Sequence, residues 1–158
     1  MTGKASFSAE EWQQVAKLPM LVAEYVSKAS KGGPIGTIKE VWAVVSSLKG
    51  EAESAGGLQI IKDLMADMQE QKPASSSEGA STPKSNDVIL SELGSALALV
   101  DSKAPGEAPA FRQWLYQAAV KVAEANKEGG FLGIGGTPVS AEEQSALADL
   151  ARALNVTP

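Results

Sequence analysis

From Asp87 to Lys103 the chain reads DVILSELGSALALVDSK. Ile89, Leu93, Ala96, Leu97 and Val100 recur at intervals of three and four, the spacing that stacks apolar groups on one face of a helix. A strand would alternate with period two, and this stretch does not. It therefore predicts an amphipathic helix, opened by Asp87 and closed before the Ala104–Pro109 turn. The next stretch repeats the pattern. Phe111, Trp114, Leu115, Ala118, Val122 and Ala125 predict a helix over about 107–127 that ends before Gly129.

The remaining segments give the same reading. Ser8-Ala9-Glu10-Glu11 has the capping-box form, in which the serine hydroxyl accepts from the third helical amide and the glutamate reaches back. Phe7 and Trp12 stand at the two positions of a hydrophobic staple. A short helix over about 9–18 follows. Pro19 then opens a second over about 19–30, because proline is tolerated in a first turn and not in an interior; one kinked helix is the alternative. The inward face is Leu18, Leu21, Val22, Tyr25 and Ala29. Ile38, Val41, Trp42, Val45 and Leu48 predict a helix capped by Thr37, and Leu58, Ile61, Leu64, Met65 and Met68 another over about 58–71. Ser140-Ala141-Glu142-Glu143 repeats the first capping box letter for letter and opens a last helix over about 141–154, with Leu147, Leu150, Ala151 and Leu154 inward.

The expected fold class is all-α, a helical bundle of six to seven helices. Between its halves, 73–86 is rich in Pro, Ala, Ser, Thr and Gly, with almost nothing apolar to bury, and reads as a flexible linker. The division is an N-terminal helical half over 1–72 and a C-terminal half over 87–158, packed as one domain. A chain of 158 residues can bury roughly 70% of its unfolded surface, enough for a core without staples. A two-fold internal repeat is one reading of the two halves. A helix near Pro19 stops at Gly32-Gly33-Pro34-Ile35-Gly36, and one near Pro109 stops at Gly129-Gly130-Phe131-Leu132-Gly133. Convergent helix-stop chemistry is the other reading, since glycine ends helices everywhere.

Composition removes whole classes of chemistry. The chain has no cysteine and no histidine. Disulfides, thiolate nucleophiles, Ser-His-Asp triads and His-containing zinc sites are excluded with them. An enzyme would have to work with Glu, Asp, Lys and Tyr alone, and no acid and base can be paired among them; no enzymatic activity is expected. The net charge is −5, and the only arginines are Arg112 and Arg152. Without a basic stripe, nucleic-acid binding is not expected. No apolar run approaches the ~20 residues that cross a bilayer, and Met1–Phe7 has no apolar signal segment. The expectation is a cytoplasmic protein.

One segment departs from helical logic. Gly129 to Thr137 reads GGFLGIGGT. Gly133-x-Gly135 has the look of a phosphate loop, but such loops follow a strand and the P-loop needs a lysine where Thr137-Pro138 stand. Phosphate is not expected here. Phe131, Leu132 and Ile134 are large apolar groups without periodicity. They either plug the end of the core, with glycine supplying the turns, or form a contact surface for a protein partner or a second copy. Leu132 is expected as the plug, with Phe131 and Ile134 partly exposed. Glu124, Glu128 and Glu143 flank this loop. With loop carbonyls they offer the all-oxygen donors that Ca²⁺ or Mg²⁺ prefers; solvated charges, with Glu142 and Glu143 favoured by the helix dipole, are the simpler account, and no cofactor is expected. Asp63, Asp67 and Glu70 form another acidic face, read as surface.

The run Val122-Ala123-Glu124-Ala125, Glu128-Gly129-Gly130, Val139-Ser140-Ala141-Glu142-Glu143 and Leu147 to Leu154 resembles the tellurite-resistance TerB-like family over about 35 C-terminal residues. A fainter match lies near Ala29–Leu48. The resemblance implies an all-α bundle with an internal repeat and acidic residues that respond to divalent cations. Where that family has Asp-Gly, this chain has Glu128-Gly129, in a longer loop. The chain is also similar to small helical bacterial proteins, a resemblance that implies no activity.

Overall fold

The computed structural model describes residues 3–29, 58–70, 85–128 and 141–157, with the side chains of Met68 and of 125–128 left aside. The expected helix over 37–48, the linker and the glycine-rich loop lie outside the described residues. All regular structure among these residues is helical, so the fold class is all-α. A single 3₁₀ turn, Lys4–Ser6, precedes α1 (Ala9–Ala16) and α2 (Leu18–Ala29). These are followed by α3 (Gln59–Glu70), α4 (Asn86–Lys103), α5 (Ala108–Glu128) and α6 (Ala141–Leu154).

Local chemistry explains the boundaries. Both arms of the first capping box form: the Glu11 amide donates to Ser8 Oγ at 3.2 Å and the Ser8 amide to Glu11 Oε2 at 2.8 Å. The staple closes over them, Phe7 against Trp12 with ring centroids 5.6 Å apart. Lys17 alone separates α1 from α2. Pro19 is the second residue of α2, where an amide would have no helical partner. At α4 the cap is Ser85, whose Oγ accepts from the Val88 amide at 3.4 Å. Asn86 therefore belongs to the helix, one residue earlier than Asp87 suggested.

The helix α6 ends in a Schellman motif. Asn155 has φ 54°, Val156 N–H reaches Ala151 O at 3.0 Å and Asn155 N–H reaches Arg152 O at 3.1 Å. Asparagine tolerates this left-handed conformation and alanine does not. Asn155→Ala is expected to cost about 1 kcal/mol in urea unfolding; an unchanged midpoint would show that the motif contributes nothing.

At the centre of the core lies α2. It packs most extensively on α5 and also touches α4 and α6, while α1 lies along α4 and α5 along α6. This central place explains why α2 is buried almost all round: besides Leu18, Leu21, Val22 and Tyr25, it hides Pro19, Ala23, Val26 and Ser27. The expected inward faces of α4 and α6 are buried as read. The face of α3 is rotated. Ile60, Ile61 and Leu64 are fully buried, whereas Leu58 and Met65 are only partly so. No helix among the described residues is long and apolar enough to cross a membrane.

Candidate functional site

With Ile89, Leu93, Ala96, Leu97 and Val100 turned inward, the centre of the outward face of α4 falls on Ser91, Gly94, Ser95, Ala98 and Ser102. All five are exposed. Surface helices usually carry long charged side chains there; this one presents small groups, bordered by the exposed Asp87 and Asp101. Val88, at one end of the face, is 44% exposed and is the exposed large apolar residue among those described. Ser95 Oγ donates back to the Ser91 carbonyl at 3.1 Å, so its hydroxyl turns towards its own backbone.

Beside this face is a shallow cleft of about 210 Å³, formed where the α1–α2 junction meets α4. Gln14, Lys17, Ser91, Glu92 and Ser95 line it, and Leu21 provides an apolar wall. Cavities that enclose a small-molecule ligand are commonly about 300–1,000 Å³. This one is smaller and open to solvent.

Gly94 is the informative residue. A glycine inside a helix costs about 0.5–1 kcal/mol relative to alanine. A Cβ built on Gly94 would meet no heavy atom within 4 Å. Among the described residues, nothing in the packing of α4 therefore requires the missing side chain. The signal was present in the sequence, in the polar arc of the 87–103 helix, but a sequence cannot tell an open arc from one covered by a neighbouring element.

The site residues expected from sequence fall as follows. Phe131, Leu132 and Ile134 lie outside the described residues, as does the side chain of Glu128. Glu124 is exposed on α5, 3.7 Å from Lys121 Nζ one turn away. Glu143 is buried, 5% exposed, in the first turn of α6. It is not the solvated charge expected; at the third helical position it stands where the glutamate of a capping box stands. Among the described residues no three acidic side chains are gathered so as to hold a metal ion.

The other acidic group is not surface decoration. Asp67 Oδ2 accepts from the Trp12 indole N–H at 2.5 Å, and Oδ1 accepts from Lys4 Nζ at 2.8 Å. Partial burial pushes this carboxyl up, but the Lys4 and Trp12 hydrogen bonds together outweigh it, and its pKa lies below the usual value. The stabilisation it contributes is thus present above the ordinary carboxylate range and lost as pH falls through that lowered value. Glu107, in the turn before α5, accepts from the Ile60 amide at 3.1 Å and so neutralises the first turn of α3. Tyr25 donates to Asp149 Oδ2 at 3.2 Å. Burial, then the Asp149 charge, raise its pKa, so the phenol stays protonated at neutral pH.

No family model, curated protein or solved structure matches the chain.

Proposed function

We propose that this chain is a non-enzymatic interaction or scaffold domain of the cytoplasm that receives a protein partner, or a second copy of itself, on the outer face of α4. The observation that carries the reading is Gly94: an exposed helical glycine, costly to the helix and not required by any described neighbour, on a face of mostly small side chains. Such a face admits close approach by another backbone. Phe131, Leu132 and Ile134, which lie outside the described residues, are kept as partner-binding candidates from the sequence. The six to seven helices and the internal repeat expected from the sequence are kept with it.

Gly94→Ala separates the two roles of this position. It is expected to stabilise the free protein by about 0.5–1 kcal/mol and to weaken association. The chain is used as bait in native lysate, and its self-association is followed by sedimentation. A partner or dimer retained by the wild type, and lost in both Gly94→Gln and Phe131→Ser while each stays folded, is the expected result. Equal retention by wild type and variants would sink the reading.

A TerB-like, divalent-cation-responsive protein is the second reading, favoured by the burial of Glu143 in the first turn of α6. The two differ in one measurement. A bound ion at 100 times its dissociation constant stabilises by about 2.7 kcal/mol. Under the interaction reading, Ca²⁺ and Mg²⁺ leave the melting temperature unchanged. An EDTA-reversible rise that Glu128→Gln abolishes would select the cation reading instead.

A further inference from the structure

The 3₁₀ turn at Lys4–Ser6 is too short to hold itself. Its own bonds are Ser6 N–H to Gly3 O at 2.9 Å and Phe7 N–H to Lys4 O at 3.1 Å, and a single turn does not recover the entropy of ordering it. What holds it down is α3. The Lys4 backbone amide donates to Asp63 Oδ2 at 2.7 Å, and Lys4 Nζ donates to Asp67 Oδ1 at 2.8 Å. Asp63 is itself fixed, since its Oδ1 accepts from Gln59 Nε2 at 2.7 Å. The apolar anchor of the turn is one ring, Phe7, laid on Trp12.

Gly3 shows how closely the turn is seated. A Cβ at Gly3 would stand 2.2 Å from Asp63 Oδ2 and 2.7 Å from Gln59 Cγ. Its φ is −115°, which any residue adopts, so glycine is needed for the close approach and not for the backbone. Asp63 cannot step aside without losing both of its hydrogen bonds. Lys4 is the charge in the arrangement. Its ammonium faces Asp67, Glu70 and Asp63, and its hydrogen bond to Asp67 raises its pKa, with those three charges adding to the effect. Without it, three carboxylates spaced at i, i+4 and i+7 along α3 lose their counter-charge. The Lys4 side chain is 52% exposed, so salt and solvent reach it, whereas Asp67 is 14% exposed.

We propose that residues 3–7 are a charge-held strap that opens apart from the helical core, with Gly3 as its seat and the Lys4 ammonium as the group that controls it. Opening parts Phe7 from Trp12 and takes the Lys4 ammonium away from the acidic face of α3, where Asp67 keeps only the Trp12 indole. Phe7 belongs to the buried cluster, so opening costs its contact there, while α2, α4, α5 and α6 keep their contacts with one another.

Amide hydrogen exchange on the full chain tests this. The amides of Lys4, Ser6 and Phe7 are compared with those of Phe111 and Leu115 in wild type, Lys4→Gln, Lys4→Arg and Gly3→Ala, each at low salt and in 1 M NaCl. Lys4→Gln and salt are expected to speed exchange of the strap amides about two- to fivefold, the size of one exposed ion pair. Core amides should be unchanged, and Lys4→Arg should stay near wild type. Gly3→Ala should accelerate the strap about tenfold or more, since relieving the overlap moves the Asp63 carboxylate off the Lys4 amide, and should remove the salt response. Strap amides that exchange in step with Phe111 and Leu115 in every protein would overturn the proposal. So would a Lys4→Gln strap indistinguishable from wild type at both salt concentrations.

Discussion

Phe111→Ala is expected to lower stability by about 3–5 kcal/mol, the range for deleting a buried aromatic ring. Phe111 is fully buried. It sits in the first turn of α5, the helix against which α2 packs most extensively, and its ring stacks on Trp114 with centroids 6.0 Å apart and planes 17° apart. The loss includes the transfer energy of the ring, the cavity left by incomplete collapse and the aromatic pair. Domains of this kind are stable by only about 5–15 kcal/mol, so the variant is expected to melt roughly 10 °C lower. Urea unfolding should show a lower midpoint with an unchanged slope. Phe111→Leu keeps most of the volume and should lose less than half as much. A loss under about 1 kcal/mol for Phe111→Ala would mean that the first turn of α5 is not packed as tightly as its burial states.

Arg112→Met is the second large effect, expected to cost about 2 kcal/mol. Arg112 is on α5 and ties two other helix ends to it. Its Nη2 donates to Asp101 Oδ2, and its Nε to Asp101 Oδ1 at 3.3 Å, a two-pronged grip on the end of α4. Its Nη1 donates to the Leu154 carbonyl at 2.9 Å, on the last residue of α6. Methionine keeps the apolar stem, so the measured loss reports the guanidinium. Most of it comes from Leu154, a buried residue whose carbonyl would lose a charged donor; Asp101, half exposed, contributes less. Arg112→Lys should recover little, because an ammonium cannot bridge both sites with one fork. Full recovery by lysine would show that charge alone matters there.

Helix by helix, local pattern went a long way. The inward set of α4 and that of α6 were legible because each follows from the 3.6-residue period alone. The Ser8 box was legible because its partners are three residues apart. For α3 the same reasoning picked Leu58, Ile61, Leu64 and Met65 and passed over Ile60. The groups α3 meets, Lys4 on Asp63 and Asp67 and Glu107 on the Ile60 amide, are far from it in sequence. The candidate face of α4 was half legible: its small residues could be read, its exposure could not.

By itself, the amino-acid sequence determined that this chain is helical, where most of its described helices begin and end, which chemistries it cannot perform for want of cysteine and histidine, and which residues of α4 and α6 point inward. These depend on neighbours within about one helical turn, or on composition. Only the tertiary structure decided that α2 is central, that Asp67 serves Trp12 and Lys4, that Arg112 joins two helix ends, and that no described residue packs on Gly94. Those contacts span 63 residues for Lys4–Asp67, 55 for Trp12–Asp67 and 42 for Arg112–Leu154. At such separations, which groups meet is set by how the helices pack, and no periodicity along the chain encodes it.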